Sequence, residues 1–285
     1  MQIDPIAAAA GVRLIALNET TSTNEEALAK AHMGGPVWVT AVTQTRGRGR
    51  QGRKWVSPPG NLYASLGIVE PAPTNRAPEL AFVAALAVRD AVVAEAPALA
   101  PQLTFKWPND LLLADQKCAG ILIEGEVRLD HENRRQGLSV VIGIGVNCVS
   151  HPSMRLDAPP GLPFASARPV ISYPATDLRA HGADVTAEKL FTRLSATMYQ
   201  RIAQWDRGAG LPVIRADWLR HAHGIGETIS VRGYHDREKV GRFAGLDEAG
   251  RLLLELPDGA IEKMSAGDVF LFDAKGGRKI PSGPG

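Results

Sequence analysis

An α+β fold in two parts is what the sequence predicts: a larger domain of strands and helices over residues 1–223, then a small β-barrel over residues 224–273. Three observations carry that reading. Apolar strand-like runs bounded by glycine and proline are interspersed with helical patterns through most of the chain. Beyond residue 224 the pattern changes to short strands separated by Asp-Glu-Ala-Gly and Pro-Asp-Gly turns, the spacing of a small barrel. With 285 residues, 45% of them hydrophobic and 22% charged, the chain can bury one large core or two modest ones.

Residues 12–17 read as a strand, and Thr21-Ser22-Thr23-Asn24 opens a helix running through Ala31. Ser22 with Glu25 and Thr23 with Glu26 both fit a capping box, which gives these hydroxyls a structural role; contact with a ligand is the functional alternative. Strand 37–42 leads through Gln44 into an arginine–glycine stretch, and 61–69 is the next strand. Residues 79–95 form an alanine-rich helix, with Pro78 suited to its first turn. Within 103–113, Pro108-Asn109-Asp110 separates two apolar runs as a hairpin turn, because proline presets φ and Asn or Asp bonds back to the backbone. A turn over 114–116 leads to a buried-type strand, 117–124, and another spans 139–147. Gly120, Gly143 and Gly145 interrupt these strands. Such glycines mark close approach by a ligand or another backbone, or else a bulge, and the sequence leaves both open. Residues 151–182, rich in Pro, Ala and Ser, predict a mobile lid or an insertion. Helices over 186–205 and 211–222 follow, the second ended by Gly224. The predicted barrel strands are 228–231, 238–246, 251–256 and 260–263, and residues 274–285 read as a disordered tail.

Composition narrows the function classes. A net charge of +2 is too small for bulk nucleic-acid affinity. Cys118 and Cys148 lack metal spacing and read as free thiols of a reducing cytosol. No apolar run reaches membrane-spanning length, and Asp4-Pro5 before a short alanine run does not resemble a signal peptide, so a cytoplasmic protein without membrane contact is expected. The seven histidines are scattered; His221 and His223 have no evident third ligand, and no Ser-His-Asp or Cys-His spacing argues for a covalent enzyme intermediate.

The stretch Thr45-Arg46-Gly47-Arg48-Gly49-Arg50-Gln51-Gly52-Arg53-Lys54-Trp55 organises the rest, and no acidic residue lies between Glu26 and Glu70. Glycine permits close approach to the main chain, and arginine supplies forks suited to phosphate and carboxylate. Gly47, Gly49 and Gly52 satisfy the dinucleotide pattern, but Pro58, Pro59 and Gly60 break the helix it needs. Gly47 and Gly52 have Walker A spacing with Arg53-Lys54 in place of Lys-Ser/Thr, so that fingerprint fails too. A disordered Arg-Gly segment for RNA is a further alternative, although such segments are longer and more repetitive. An ordinary solvated basic loop is the plain one. Moving an adenylyl group onto a carboxylate requires fixed cations around a triphosphate and one more between carboxylate and α-phosphorus. The arginine stretch can supply the first; Lys106 or Lys117, beside glycine-lined strands, can supply the second.

Four co-ordered motifs, Gly47 to Trp55, Lys106-Trp107-Pro108-Asn109-Asp110, Lys117-Cys118-Ala119-Gly120-Ile121-Leu122-Ile123-Glu124 and Gly143-Ile144-Gly145-Val146-Asn147, closely resemble the biotin protein ligases over residues 14–270. The resemblance implies that biotin and ATP give biotinyl-5′-AMP and pyrophosphate, and that the biotinyl group then passes to a lysine of a biotin carboxyl carrier protein. It also implies a mixed sheet related to class II aminoacyl-tRNA synthetases followed by an SH3-like barrel. Carried over, Ser22, Thr23 and Gln44 would bond biotin's ureido ring, with Gly47, Gly120, Gly143 and Gly145 shaping the slot. Arg48 and Lys117 would be catalytic, Arg48 near the carboxylate and phosphate and Lys117 bridging them. Arg50 and Arg53 would meet the nucleotide phosphates, with Trp55, Lys106, Asn109, Asp110 and Asn147 completing the ATP site. Asp110 is the implied aid to Mg²⁺ with ATP. Relatives that repress transcription carry an N-terminal winged helix; here the pattern begins almost at once, so a monofunctional ligase without DNA binding is expected, with monomer and homodimer both open. Some relatives place an arginine near the barrel's end, where this chain reads Val269-Phe270-Leu271-Phe272, and residues 158–171 are extra. Tyr173 to Leu178 resembles the family's segment before the late helices. A lipoate–protein ligase of the same fold, or a non-enzymatic RNA-binding protein, is the rival reading.

Overall fold

The structure, a computed structural model, describes residues 1–31, 35–129, 135–152, 174–232 and 238–271. A short helix α1 (Pro5–Ala9), where the sequence suggested only an alanine run, is capped by the Asp4 side chain on Ile6 N. Seven strands then build one sheet: β1 (Arg13–Thr20), β2 (Val37–Gln44), β3 (Leu62–Val69), β4 (Leu103–Lys106), β5 (Asp110–Leu113), β6 (Gln116–Leu129) and β7 (Arg135–Val146). Their order is β1-β2-β3-β7-β6-β5-β4, with β1 and β2 parallel and the other pairs antiparallel, so the sheet is mixed. The turn over residues 107–109 joins β4 to β5 as expected, whereas β6 and β7 run several residues beyond 117–124 and 139–147.

Helix α2 (Thr23–Ala31) covers one face of the sheet and α3 (Leu80–Glu95), α4 (Ala187–Trp205) and α5 (Leu211–Leu219) the other. Strand alternation decides which side chain goes where. Val37 and Val39 pack under α2 with Ala27 and Val141, while Trp38 points the other way and meets Phe191 of α4 edge-on at 5.5 Å. Helix α3 lies between the sheet and α4 and α5, which is why its alanines and valines are buried on most of its circumference. Helix α5 ends at Leu219 rather than 222; the following turn brings His221 O within 2.7 Å of Phe105 N, so those residues bond to β4 instead.

The C-terminal unit has five antiparallel strands, β8 (Thr228–Arg232), β9 (Glu238–Leu246), β10 (Leu252–Glu255), β11 (Ile261–Met264) and β12 (Asp268–Leu271), in the order β11-β10-β9-β8-β12. Strand β12 was absent from the sequence reading: four residues between a Ser-Ala-Gly turn and the tail carry too little periodicity to announce themselves. Apolar side chains of this unit, among them Val231, Phe243 and Leu254, are continuous with the core under α3 to α5. Trp107 Nε1 also donates to Gly250 O at 3.2 Å across the junction. No described helix is long and apolar enough to cross a membrane. The extra stretch 158–171, most of the expected lid and the tail 274–285 lie outside the described residues.

Candidate active site

A cleft of about 210 Å³ opens where the first turn of α2, the arginine stretch and the central strands meet. At its α2 end the expected capping boxes do not form. Glu25 accepts from Thr21 Oγ1 (2.8 Å) and Arg48, and Glu26 faces Thr20 and Lys30. The open helix donor goes to Gln44 instead: Gln44 Oε1 accepts from Thr23 N at 2.9 Å and Thr23 Oγ1 at 3.0 Å. Gln44 Nε2 donates to Ser57 Oγ at 3.0 Å, which fixes the orientation of the amide. Ser65 Oγ lies 2.7 Å from Thr23 Oγ1 and 2.6 Å from Asn24 Oδ1, so the row Ser57–Gln44–Thr23–Ser65–Asn24, buried except at Gln44, is continuous. Ser22 is buried beside it and lines the cleft.

The arginine stretch is a tight hairpin. Arg48 and Lys54 bridge, Gly49 N donates to Arg53 O at 2.7 Å and Trp55 N to Gly47 O at 2.9 Å; Gln51 and Gly52 make the turn at φ of 56° and 71°. A Cβ on Gly47 would sit 2.5 Å from Trp55 O, so only glycine allows the two limbs to close. Three of its arginines have side-chain partners in the protein. Arg48 Nη1 lies 2.9 Å from Glu25 Oε1 and its Nη2 3.3 Å from Glu124 Oε1; Arg50 Nη1 donates to Asn109 Oδ1 at 3.2 Å; Arg53 Nη2 pairs with Asp268 Oδ2 on β12.

The strand glycines are not bulges, because the register runs unbroken through Gly120 opposite Gly145 and Gly143 opposite Leu122. Side chains occupy the space their missing Cβ atoms leave. Trp55 lies on Gly145 and Gly120, 2.5 and 3.0 Å from where a Cβ would be, and Asn24 Oδ1 lies 2.1 Å from that point at Gly143. The expected slot floor is therefore built in two layers, with Trp55 and Asn24 above the glycines. Trp55 thus lies on the glycine row and lines the same cleft as the other residues that the resemblance puts with the nucleotide. Its buried Nε1 has no hydrogen-bond partner among the described residues, a donor open to a ligand.

Lys106, Asp110 and Lys117 meet at the far wall. Lys117 Nζ lies 2.6 Å from Asp110 Oδ1, Lys106 Nζ 3.8 Å from Oδ2, and Lys117 is 5.4 Å from the centre of the Trp55 ring. Burial alone would raise the Asp110 carboxyl, but the Lys117 and Lys106 ammoniums outweigh it and hold the pKa below the ordinary carboxylate value. Burial pushes Lys106 down, opposed by Asp110. Residues 174–178 clamp the backbone here: Lys117 N donates to Pro174 O (2.8 Å), Thr176 N to Lys117 O (2.9 Å), and Asn147 Nδ2 to Thr176 O (3.0 Å).

All the site residues expected from sequence thus fall on one cleft or, for Gly47, on the hairpin that walls it. What sequence reading missed are the carboxylates facing the arginines. Glu25 fits a capping box, Glu124 ends the Lys117–Glu124 motif with no chemical cue of its own, and Asp268, 215 positions from Arg53, has no local signal. Mg²⁺ does not fit Asp110 as it stands, because two ammoniums already occupy that carboxylate; among the described residues no group of three or more His, Cys, Asp or Glu could hold a metal ion.

The Biotin/lipoate A/B protein ligase family profile matches residues 14–147, and that of the biotin protein ligase C terminal domain matches 224–271. The chain is 37% identical over 258 residues to a biotin–[acetyl-CoA-carboxylase] ligase of Paracoccus denitrificans, an alignment covering 89% of this chain and 98% of that one. It is 31% identical over 265 residues to the bifunctional ligase/repressor BirA of Bacillus subtilis, covering 92% of this chain and 74% of that one. In fold it is similar to a biotin protein ligase from Aquifex aeolicus in complex with biotin and ATP, with TM-score 0.69, 24% identity and coverage of 92% and 99%.

Proposed function

The chain belongs to the biotin protein ligases of the biotin/lipoate A/B protein ligase family, and from that premise we infer that it activates biotin with ATP as biotinyl-5′-AMP and transfers the biotinyl group to a lysine of a biotin carboxyl carrier protein. One observation carries this reading to the residues. Six cations, Arg48, Arg50, Arg53, Lys54, Lys106 and Lys117, line the cleft against two carboxylates, Asp110 and Asp268, while its α2 end is neutral amide and hydroxyl. A ligand with a polar uncharged head and an anionic tail matches that division.

In this scheme Ser22, Thr23 and Gln44 take the ureido ring, and the Trp55–glycine wall takes the apolar chain. A carboxylate oxygen of biotin attacks the α-phosphorus, a P–O bond forms, and the bond to the β-phosphate oxygen breaks to release pyrophosphate. Lys117 stands between carboxylate and α-phosphate, where negative charge gathers, with Arg48 beside it and Arg50 and Arg53 on the departing phosphates. The carrier lysine's neutral amine then attacks the acyl carbon; the amide forms, AMP leaves, and the amine surrenders a proton. Asn109 and Asn147 border the nucleotide end. Mg²⁺ enters only with the ATP phosphates, and no step is assigned to it. Residues 1–223 form the catalytic domain and 224–273 a C-terminal SH3-like barrel, in a cytoplasmic protein that does not read operator DNA. The lipoate and RNA alternatives are not favoured, because the Paracoccus relative and the Aquifex structure are biotin ligases. Labelled biotin, ATP and a carrier domain should yield one biotinylated lysine by mass spectrometry; a carrier left unmodified while control ligase labels it would refute the assignment.

A further inference from the structure

Glu124 has no part in the reaction just described, yet it joins two elements that do. Its Oε2 accepts from Asn24 Nδ2 at 2.7 Å on the first turn of α2, and its Oε1 lies 3.3 Å from Arg48 Nη2 on the hairpin. Asn24 can lie there because Gly143 offers no Cβ. Arg48's second arm is held by Glu25 at 2.9 Å, so the guanidinium sits between two carboxylates. The three side chains are 35–41% exposed, which makes each ion pair a weak contributor to stability; what the bracket fixes is the direction of the fork.

We propose that Glu124 is a positioning residue for the adenylation step: it aims Arg48 and ties that aim to Asn24 at the α2 end of the cleft. The proposal rests on the ligase reading above. Two effects of the carboxylate oppose each other. Its charge weakens the attraction of Arg48 for an anionic nucleotide, while its hydrogen bonds hold the guanidinium where a transition state can use it. Glu124→Gln keeps an acceptor for Asn24 and removes the charge. ATP KM should therefore fall about five-fold, the Coulomb effect of one charge near 4 Å in water. The kcat for biotinyl-AMP formation should fall roughly 10- to 100-fold as Arg48 loses its aim. A residue that merely held the fold would not lower KM.

The test compares wild type, Glu124→Gln, Arg48→Lys, the double variant and the control Glu126→Gln, whose carboxylate is exposed two residues further along β6. Biotinyl-AMP synthesis gives KM and kcat, and tryptic cleavage after Arg48 without nucleotide gives a readout independent of activity. Glu124→Gln should show the KM–kcat split and several-fold faster cleavage, and its kcat effect should vanish in the Arg48→Lys background. If wild type is active and Glu124→Gln matches Glu126→Gln in both readouts, Glu124 positions nothing. If wild type makes no biotinyl-AMP while Glu124→Gln still speeds cleavage, the ligase reading fails and takes the adenylation role with it, leaving only the anchoring of Arg48.

Discussion

In the proposed scheme Lys117 is the residue on which the chemistry depends most, and Asp110 fixes its position. Its ammonium shares Asp110 with Lys106, and the cations lining the cleft outnumber the carboxylates lining it, so positive charge is left over for the substrate. Lys117→Ala should lower biotinyl-AMP formation on the order of 10²–10³-fold with the fold retained; near wild-type synthesis would remove Lys117 from its role. Asp110 carries a pH consequence. Its folded pKa lies below the unfolded value, so the stability it contributes is present above the unfolded pKa and is lost as pH falls through the folded one. Asp110→Asn removes the carboxylate that the Lys106 and Lys117 ammoniums share and should cost about 3 kcal/mol near neutral pH, narrowing to a small difference in strong acid. Parallel acid-denaturation curves for the two proteins would contradict that. Lys106, Asp110 and Lys117 were legible in the sequence because turn chemistry and glycine-flanked strands marked them. Glu124 and Asp268 were not, since their meaning lies in partners far along the chain.

The hairpin and the glycine row it covers are one device made of two elements. Sequence density of arginine and glycine identified the hairpin, but its closed shape depends on Trp55 lying on Gly145, a contact between residues 90 positions apart that no local pattern records. Gly145→Ala would put a methyl group 2.5 Å from Trp55 Cε2. Overpacking of that kind costs typically about 1–3 kcal/mol, and here the indole can give way. The variant should therefore shift Trp55 emission and bind biotin at least ten-fold more weakly with little change in melting temperature. Unchanged biotin affinity would show that the Trp55–glycine wall is not part of the slot. Asp268 latches the same hairpin from β12, so Asp268→Asn should speed tryptic cleavage after Arg53, and equal cleavage rates would dismiss the latch. The capping boxes expected at Ser22 and Thr23 failed for a related reason: Gln44, on a neighbouring strand, satisfies the helix donor better placed than either glutamate.

Across the whole molecule, the order of strands and helices along the chain followed from periodicity; the resemblance implied a mixed sheet, and the seven-stranded order with its single parallel pair was not legible, because periodicity does not encode pairing. The core is continuous from the sheet and its helices into the C-terminal strands, and Trp107, Asp268 and the backbone of Gly250 cross the junction. Heating should give one calorimetric transition for the full chain; two resolved transitions would mean that the parts are energetically independent. Coupling of biotin's carboxylate to an adenylyl group in this cleft can be read with α-labelled ATP and no carrier protein present. Biotin should produce labelled biotinyl-5′-AMP and a matching amount of pyrophosphate, lipoate should produce neither, and Lys117→Ala should nearly abolish both. Pyrophosphate release that ignores biotin, or an adenylate formed as readily on lipoate, would contradict it.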